Sequence, residues 1–258
     1  MEYVTSPRIT MKTYFSYNAL VGLRASGYQN TQYALAELID NAFDAAATRV
    51  KVIFFEKRDN NKRVIEEIIV SDDGSGMSRD VLETCLQFGS GTNTDLAVMV
   101  AKRKIGKFGF GLPNASLSQC TNITVYSWQS GRPPFAEKLN LKELRDNDRS
   151  IEMPPAQETI IPTRYQNAEA VLSMQSGTIV SWKNCDRLSY GKGETLCIKS
   201  KSLLGTIYRH LITAGKSITL EVHEHNPSQD SFAKRFECKI VPNDPLFLME
   251  NTLIAETL

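Results

Sequence analysis

The feature that most constrains the fold is an apolar stretch that also carries four polar side chains, Ala34–Ala45. With about 3.6 residues per turn, Glu37, Asn41 and Asp44 lie on one face of a helix, with Asp40 at its edge. Apolar residues cover most of the remaining circumference, which is typical of a buried helix. Buried carboxylates cost free energy unless they meet a metal, a water or a ligand, so the stretch predicts a chemical site. The alternative is an ordinary amphipathic helix with a solvated acidic face.

Two glycine-rich segments downstream favour the chemical site. Asp72–Gly76 follows the apolar run Ile68–Val70, so Asp72 lies where a strand gives way to a turn. A carboxylate there accepts hydrogen bonds, and the exocyclic amine of adenine is a donor that guanine lacks at that position. Gly106–Gly111 precedes a predicted helix at about Pro113, and backbone N–H groups in such a segment favour a phosphate. The alternative for the Asp-Gly step is a plain turn.

In order and spacing, Ala34–Ala45, Asp72–Gly76 and Gly106–Gly111 resemble the motifs of the GHKL ATPases. This family contains type II gyrases, the heat-shock chaperone, histidine kinases and MutL. Ala34–Ala45 and Lys104–Leu112 look most like MORC-type and heat-shock-chaperone-like bacterial members. The resemblance covers residues 30–182 and implies the Bergerat fold, an α/β two-layer sandwich. In that fold, helices lie on one face of a mixed, mostly antiparallel sheet.

The resemblance also implies ATP and Mg²⁺ as cofactors, with roles for individual residues. It implies Glu37 as the general base for the attacking water and Asn41 as the Mg²⁺ ligand, since an amide oxygen suits a hard cation. It implies that Asp72 contacts adenine, that Gly76 lets the base approach the backbone, and that Thr178 bonds nearby. The full set implied to bind nucleotide is Asn41, Asp72, Gly76, Gly106, Lys107, Gly109, Phe110, Gly111 and Thr178.

Glu37 favours hydrolysis, because histidine kinases usually have no glutamate at this position. The resemblance thus implies an ATPase module in which closure of a lid, residues 89–112, and ATP-dependent homodimerisation switch a larger protein. We expect slow turnover by the isolated chain, since the lysine that a transducer domain supplies would lie beyond residue 258. Two alternatives stay open: a nucleotide-binding switch without significant turnover, and a phosphotransferase of the histidine-kinase type. Expected partners are ATP or ADP, a second copy, and nucleic acid through further C-terminal regions.

Composition limits the remaining classes. The chain has 258 residues and a net charge of +1, so nothing in its bulk charge attracts nucleic acid or an anionic membrane. Its five cysteines form no Cys-x-x-Cys pair, and no apolar run approaches the ~18 residues of a membrane span. We therefore expect a cytoplasmic protein with reduced thiols and no membrane partner.

The periodicity of the chain predicts two parts. Residues 1–185 form an ATP-binding core, and residues 186–258 form a C-terminal helix-plus-hairpin extension that resembles the start of a transducer region. We predict a polar loop over residues 183–199 that leads from the core into the extension, followed by a helix at about 201–214 and two strands at about 217–225 and 235–241. The last residues have a helical pattern still in progress, so we expect a fragment of a longer protein.

Overall fold

The computed structural model describes residues 17–60, 62–87, 111–146, 155–167 and 175–244. Its helices are α1 (Tyr17–Ser26), α2 (Thr31–Asp44), α3 (Arg79–Leu82), α4 (Gly111–Gln119), α5 (Leu141–Asp146), α6 (Thr163–Asn167) and α7 (Gly193–Thr213). Its strands are β1 (Arg49–Asp59), β2 (Lys62–Asp72), β3 (Asn122–Trp128), β4 (Phe135–Asn140), β5 (Gln157–Glu158), β6 (Gly177–Lys183), β7 (Ser217–Asn226) and β8 (Ser231–Lys239). None of the helices within these ranges is both long and apolar enough to cross a bilayer.

The described strands form one sheet in the order β5-β4-β3-β6-β2-β1-β7-β8. Neighbours are antiparallel except β1 and β7, which are parallel. This mixed, mostly antiparallel sheet with its packed helices confirms the predicted fold class. Because β2 is a central strand, its last residue Asp72 has Val50 opposite on β1 and Thr178 opposite on β6. The sheet thereby brings together two predicted site residues that lie far apart in sequence.

The main hydrophobic core lies between the sheet and helices α2, α4 and α7. Leu35 and Ile39 of α2, Trp182 of β6 and Leu204 of α7 belong to it and have almost no exposed surface. Burial of each such side chain contributes about 1.5–3 kcal/mol. A smaller cluster on the opposite face of the sheet is built around Tyr165 of α6. Helix α2 buries its apolar face in the main core. This burial fixes the rotation of the helix and therefore the direction in which its polar face points.

The sequence pattern predicts this helix from about Thr31 to Thr48, with Asn30 or Thr31 as its N-cap, and α2 begins as predicted but ends earlier. The Asn30 side chain accepts a hydrogen bond from the Gln32 backbone N–H at 2.8 Å, which caps the first turn. The predicted end near Thr48 is wrong, because the helix stops at Asp44. Ala46 has a φ of 63°, and left-handed backbone at this point ends a helix. No glycine marks this end, so the sequence carried no signal for it.

The predicted loop over residues 183–199 is also partly wrong, because α7 already begins at Gly193. Lys192 at the cap position makes no side-chain cap hydrogen bond. Instead, Glu56 Oε1 on β1 accepts a hydrogen bond from the Gly193 backbone N–H at 2.7 Å. A cap supplied by a distant strand leaves no local sequence signal.

The helix and hairpin predicted for the extension are present. Strand β7 joins the sheet by pairing with β1, and β8 pairs with β7 at the edge. The extension thus shares one sheet with the predicted core, and the domain boundary near residue 185 stays a prediction.

Candidate functional site

The polar face of α2 presents Glu37, whose carboxylate lies between two other parts of the chain. The Tyr28 hydroxyl donates a hydrogen bond to Glu37 Oε2 at 2.8 Å. On the other side, a Cβ placed on Gly111 would overlap Glu37 Oε1, so a larger residue at the start of α4 would displace the carboxylate from this position. The N-terminal end of a helix carries a positive partial charge that favours an anion. The predicted general base thus lies beside the last glycine of the predicted phosphate segment.

Asn41 lies one turn after Glu37 on the same face. Its Nδ2 atom is buried and has no hydrogen-bond partner among the residues that the structure describes. Asp40 is engaged elsewhere, because the Tyr208 hydroxyl of α7 lies 2.7 Å from both Asp40 Oδ1 and the Ala36 carbonyl oxygen. Burial outweighs this hydrogen bond and raises the pKa of Asp40 to about 6. Asn41 is therefore the residue with unused hydrogen-bonding capacity, whereas Asp40 joins α2 to α7.

The two adjacent carboxylates at the end of β2 have different surroundings. Asp73 accepts hydrogen bonds from the backbone N–H groups of Thr48 and Arg49 at 2.7 and 2.8 Å, and from both of their side chains. Partial burial acts to raise its pKa, but these hydrogen bonds prevail and lower the pKa of Asp73 to about 2. Asp73 therefore ties the turn to the start of β1.

Asp72 has few such partners. It is 7% exposed, and its Oδ1 accepts a hydrogen bond from the Gly74 backbone N–H at 2.8 Å. Burial raises the pKa of Asp72 to about 7, although hydrogen bonds from the backbone of Gly74 and Thr178 act to lower it. A buried carboxylate that the turn does not saturate is suited to accept from a ligand.

Thr178 is held beside Asp72 by a residue that the sequence analysis missed. Ser127 Oγ lies 3.1 Å from Thr178 Oγ1 and accepts a hydrogen bond from the Met77 backbone N–H at 2.8 Å. Gly76 has a φ of 63°, and a Cβ there would overlap the Trp128 carbonyl oxygen. The close approach that Gly76 permits in this structure is thus to β3. Ser127 sits in a strand without any motif, so nothing in the sequence singled it out.

Helix α2 connects the two halves of the site. At its C-terminal end, the Ser75 backbone N–H donates to the Ala45 carbonyl oxygen at 2.8 Å, which places the turn after Asp72 against the helix. Glu37 lies about 12 Å further back along the helix axis, at about 1.5 Å per residue. The remaining predicted phosphate-binding residues lie outside the described part of the chain: Gly106, Lys107, Gly109 and Phe110.

Comparison with known families matches residues 28–178 to the model described as histidine kinase-, DNA gyrase B-, and HSP90-like ATPase. The chain belongs to this family of GHKL ATPases. The matched range contains Glu37, Asn41, Asp72, Gly111 and Thr178. The predicted resemblance to the family is therefore confirmed.

Curated relatives of this GHKL chain are of two kinds. Protein MICRORCHIDIA 7 of Arabidopsis thaliana is 27% identical over 99 residues, which are 38% of this chain and 13% of that protein. Protein MICRORCHIDIA 6 of the same plant is 27% identical over 109 residues, 42% of this chain and 15% of the relative. DNA mismatch repair protein MutL of Borreliella afzelii (strain PKo) is 32% identical over 102 residues, 39% of this chain and 15% of the relative. The similarity thus spans less than a sixth of each relative.

Proposed function

We propose that this GHKL chain binds Mg-ATP along α2 and hydrolyses it, with Glu37 as the general base. The observation that carries the proposal is the position of the Glu37 carboxylate, which the Tyr28 hydroxyl holds at 2.8 Å and which borders Gly111 at the start of α4. A general base must be fixed within reach of the proton that it accepts, and its contribution is about 10²–10⁴-fold in rate. Membership of an ATPase family supports this class of reaction.

Asp72 is the proposed adenine contact. As a carboxylate it accepts from the exocyclic amine of adenine, whereas guanine offers an acceptor at that position. Its burial strengthens a hydrogen bond to the ligand, because water does not compete for the carboxylate. Thr178, which Ser127 holds beside Asp72, and Gly76 are proposed to complete this end of the pocket.

Asn41 is the proposed protein ligand of Mg²⁺. Its Nδ2 atom is buried with no partner among the described residues, and its amide oxygen is a hard ligand of the kind that this cation accepts. Those residues contain no group of three His, Cys, Asp or Glu side chains that could hold a metal. This donor set fits an ion that takes most of its ligands from phosphates and water. When bound, Mg²⁺ supplies neutralisation of phosphate charge.

The phosphates themselves are proposed to contact the segment that ends at α4. Gly106, Lys107, Gly109 and Phe110 stay predictions for this role, because they lie outside the described residues. Gly111 lies within them, and its lack of a side chain leaves the Glu37 carboxylate beside the helix start. A helix N-terminus and backbone N–H groups of a glycine-rich segment suit an anion.

The wider role is part of the same proposal. We propose that closure of a lid over residues 89–112 and ATP-dependent homodimerisation switch a larger protein in the cytoplasm, with slow turnover by the chain alone. One relative is by name a DNA mismatch repair protein, which supports nucleic acid as a partner of that larger protein. The described cysteines are free, in keeping with a reducing compartment.

Phosphate release from Mg-ATP by the purified chain, beside calorimetry with ADP, tests this function. We expect slow release from ATP, none from GTP, and loss of both release and ADP binding in Asp72→Ala. Tight binding of ATP without release would instead favour the nucleotide switch. Radiolabel transferred from the γ-phosphate to protein would favour the histidine-kinase alternative.

A further inference from the structure

Tyr28 lies in the short connection between α1 and α2, and no predicted motif includes it. Its hydroxyl donates to Oε2 of Glu37, in the second turn of α2, at 2.8 Å. Burial and this hydrogen bond raise the pKa of Tyr28 to about 12. The phenol therefore stays protonated at neutral pH and remains a hydrogen-bond donor to the carboxylate.

The main chain at Tyr28 is anchored independently of the hydroxyl. The side chain of Gln119, at the end of α4, is fully buried and donates to the Tyr28 carbonyl oxygen at 2.8 Å. Gln119 Oε1 in turn accepts a hydrogen bond from the Thr31 hydroxyl at 2.7 Å. Gly27 packs so closely on α4 that an added Cβ would lie 2.9 Å from Ser118 Cβ. Tyr28 is thus presented to Glu37 from a fixed backbone.

The same helix that anchors Tyr28 borders the other side of the carboxylate. Gly111 begins α4 next to Glu37 Oε1, and Gln119 ends α4 beneath Tyr28. Oε2 is therefore occupied by the phenol, whereas Oε1 faces the helix start where the phosphates are proposed to bind. When a hydrogen bond holds one oxygen of a carboxylate, the position of the second oxygen is fixed as well, so that it is already oriented for its reaction partner.

We infer that Tyr28 is a positioning residue for Glu37, an inference that rests on the hydrolysis proposed above. Tyr28 holds Oε2, so that Oε1 is oriented to accept the proton of the attacking water. The water oxygen then bonds to the γ-phosphorus as the bond to the leaving oxygen of ADP breaks. Tyr28 keeps its own proton throughout.

The Tyr28→Phe variant isolates this contact, because it keeps the ring and the main-chain anchors and removes only the hydroxyl. Tyr190→Phe is the matched control, since Tyr190 lies in the loop before α7 with 37% exposure and has no hydrogen-bond partner for its hydroxyl among the described residues. The Glu37→Gln variant and the double variant that combines Tyr28→Phe with Glu37→Gln complete the set. All five proteins, including the wild type, are the 258-residue chain.

The measurements are single-turnover hydrolysis of Mg-ATP at several concentrations, calorimetry with ADP, and thermal melting. We expect Tyr28→Phe to turn over about 10- to 100-fold more slowly, as for a lost hydrogen bond to a charged group. The loss should lie in the rate at saturating Mg-ATP and not in the nucleotide concentration that gives half of that rate, because Tyr28 contacts Glu37 and not the nucleotide. ADP affinity should stay within about twofold, and the double variant should be no slower than Glu37→Gln. The rate of Tyr190→Phe should match the wild type.

Four results would overturn the inference, and they are distinguishable. If Glu37→Gln is inactive but Tyr28→Phe keeps the wild-type rate, the role of Tyr28 fails and the proposed function stands. If Tyr28→Phe loses ADP affinity and melting temperature together with rate, its role is structural. If the wild type shows no turnover, the proposed hydrolysis itself fails. If Glu37→Gln turns over normally, hydrolysis stands and the assignment of Glu37 as its general base fails.

Discussion

Replacement of Asp72 by asparagine should stabilise the free protein and at the same time weaken nucleotide binding. The pKa of this carboxyl is about 7 in the folded chain, against an ordinary value of 3.8, because it is buried. The difference corresponds to at most about 4 kcal/mol of stability lost whenever the folded carboxyl is ionised. Asp72→Asn removes that charge and keeps Oδ1 as the acceptor for Gly74.

The net gain is smaller than this limit. The asparagine Nδ2 is a donor where the carboxylate had an acceptor, so the backbone N–H of Thr178 loses a partner, which costs about 1–3 kcal/mol. We expect a net gain of about 1–2 kcal/mol and a rise in Tm of about 2–6 °C. The Nδ2 donor of the asparagine would also face the amine of adenine, which is itself a donor. ADP binding should therefore weaken at least about tenfold.

The pH dependence of stability tests whether the ionised Asp72 carboxylate is the cause of the difference between the wild type and Asp72→Asn. Below about pH 4 the Asp72 carboxyl is protonated in both folded and unfolded chains, so the wild type keeps its full stability there. The wild type loses stability as pH rises from about 4 to about 7, because the buried carboxyl ionises. The higher melting temperature of Asp72→Asn relative to the wild type should therefore appear over the same pH interval. Thermal melting from pH 4 to pH 8 and calorimetry with ADP make the measurement. A variant that melts below the wild type at pH 8 and still binds ADP normally would refute the reasoning.

Three further predictions concern neighbouring positions. Gly111→Ala should lower single-turnover hydrolysis at least about tenfold with little change in ADP affinity, because its Cβ displaces the Glu37 carboxylate; an unchanged rate would contradict the contact. Gly76→Ala should lower the free energy of unfolding, measured in urea, by about 2–4 kcal/mol, because the backbone has a positive φ here and the added Cβ overlaps the Trp128 carbonyl oxygen. A smaller loss would show that the turn relaxes. Asp73→Asn should destabilise the chain at pH 7, and the difference in unfolding free energy from the wild type should narrow as pH falls from about 4 towards 2. A difference that does not depend on pH would exclude the hydrogen bonds to the ionised Asp73 carboxylate as its cause.

Local patterns explain what the sequence could predict. Helical periodicity placed Glu37 and Asn41 on one face of α2, and the apolar run before Asp72 predicted that β2 ends there. The order of the three motifs then predicted the family and the fold class, both of which are confirmed. Each of these signals lies within a few consecutive residues or in the spacing of short motifs.

Contacts between distant elements explain what the sequence could not predict. The Tyr28 hydroxyl meets Glu37 only because Gln119 anchors the connection before α2, and Ser127 meets Thr178 only because β3 and β6 are neighbours. The resemblance selected Asp72 over Asp73, whereas the hydrogen bonds that saturate Asp73 supply the physical reason for that choice. The site roles themselves stay predictions.

The most direct test of the central claim is a comparison of wild type with Glu37→Gln in binding and in hydrolysis. The glutamine is nearly isosteric and cannot accept the proton, so it separates the chemical step from nucleotide binding. Calorimetry with a non-hydrolysable ATP analogue and Mg²⁺ should give equal affinities, and single-turnover hydrolysis should fall about 10²–10⁴-fold. Equal rates of hydrolysis in the two proteins would contradict the assignment of Glu37 as the general base.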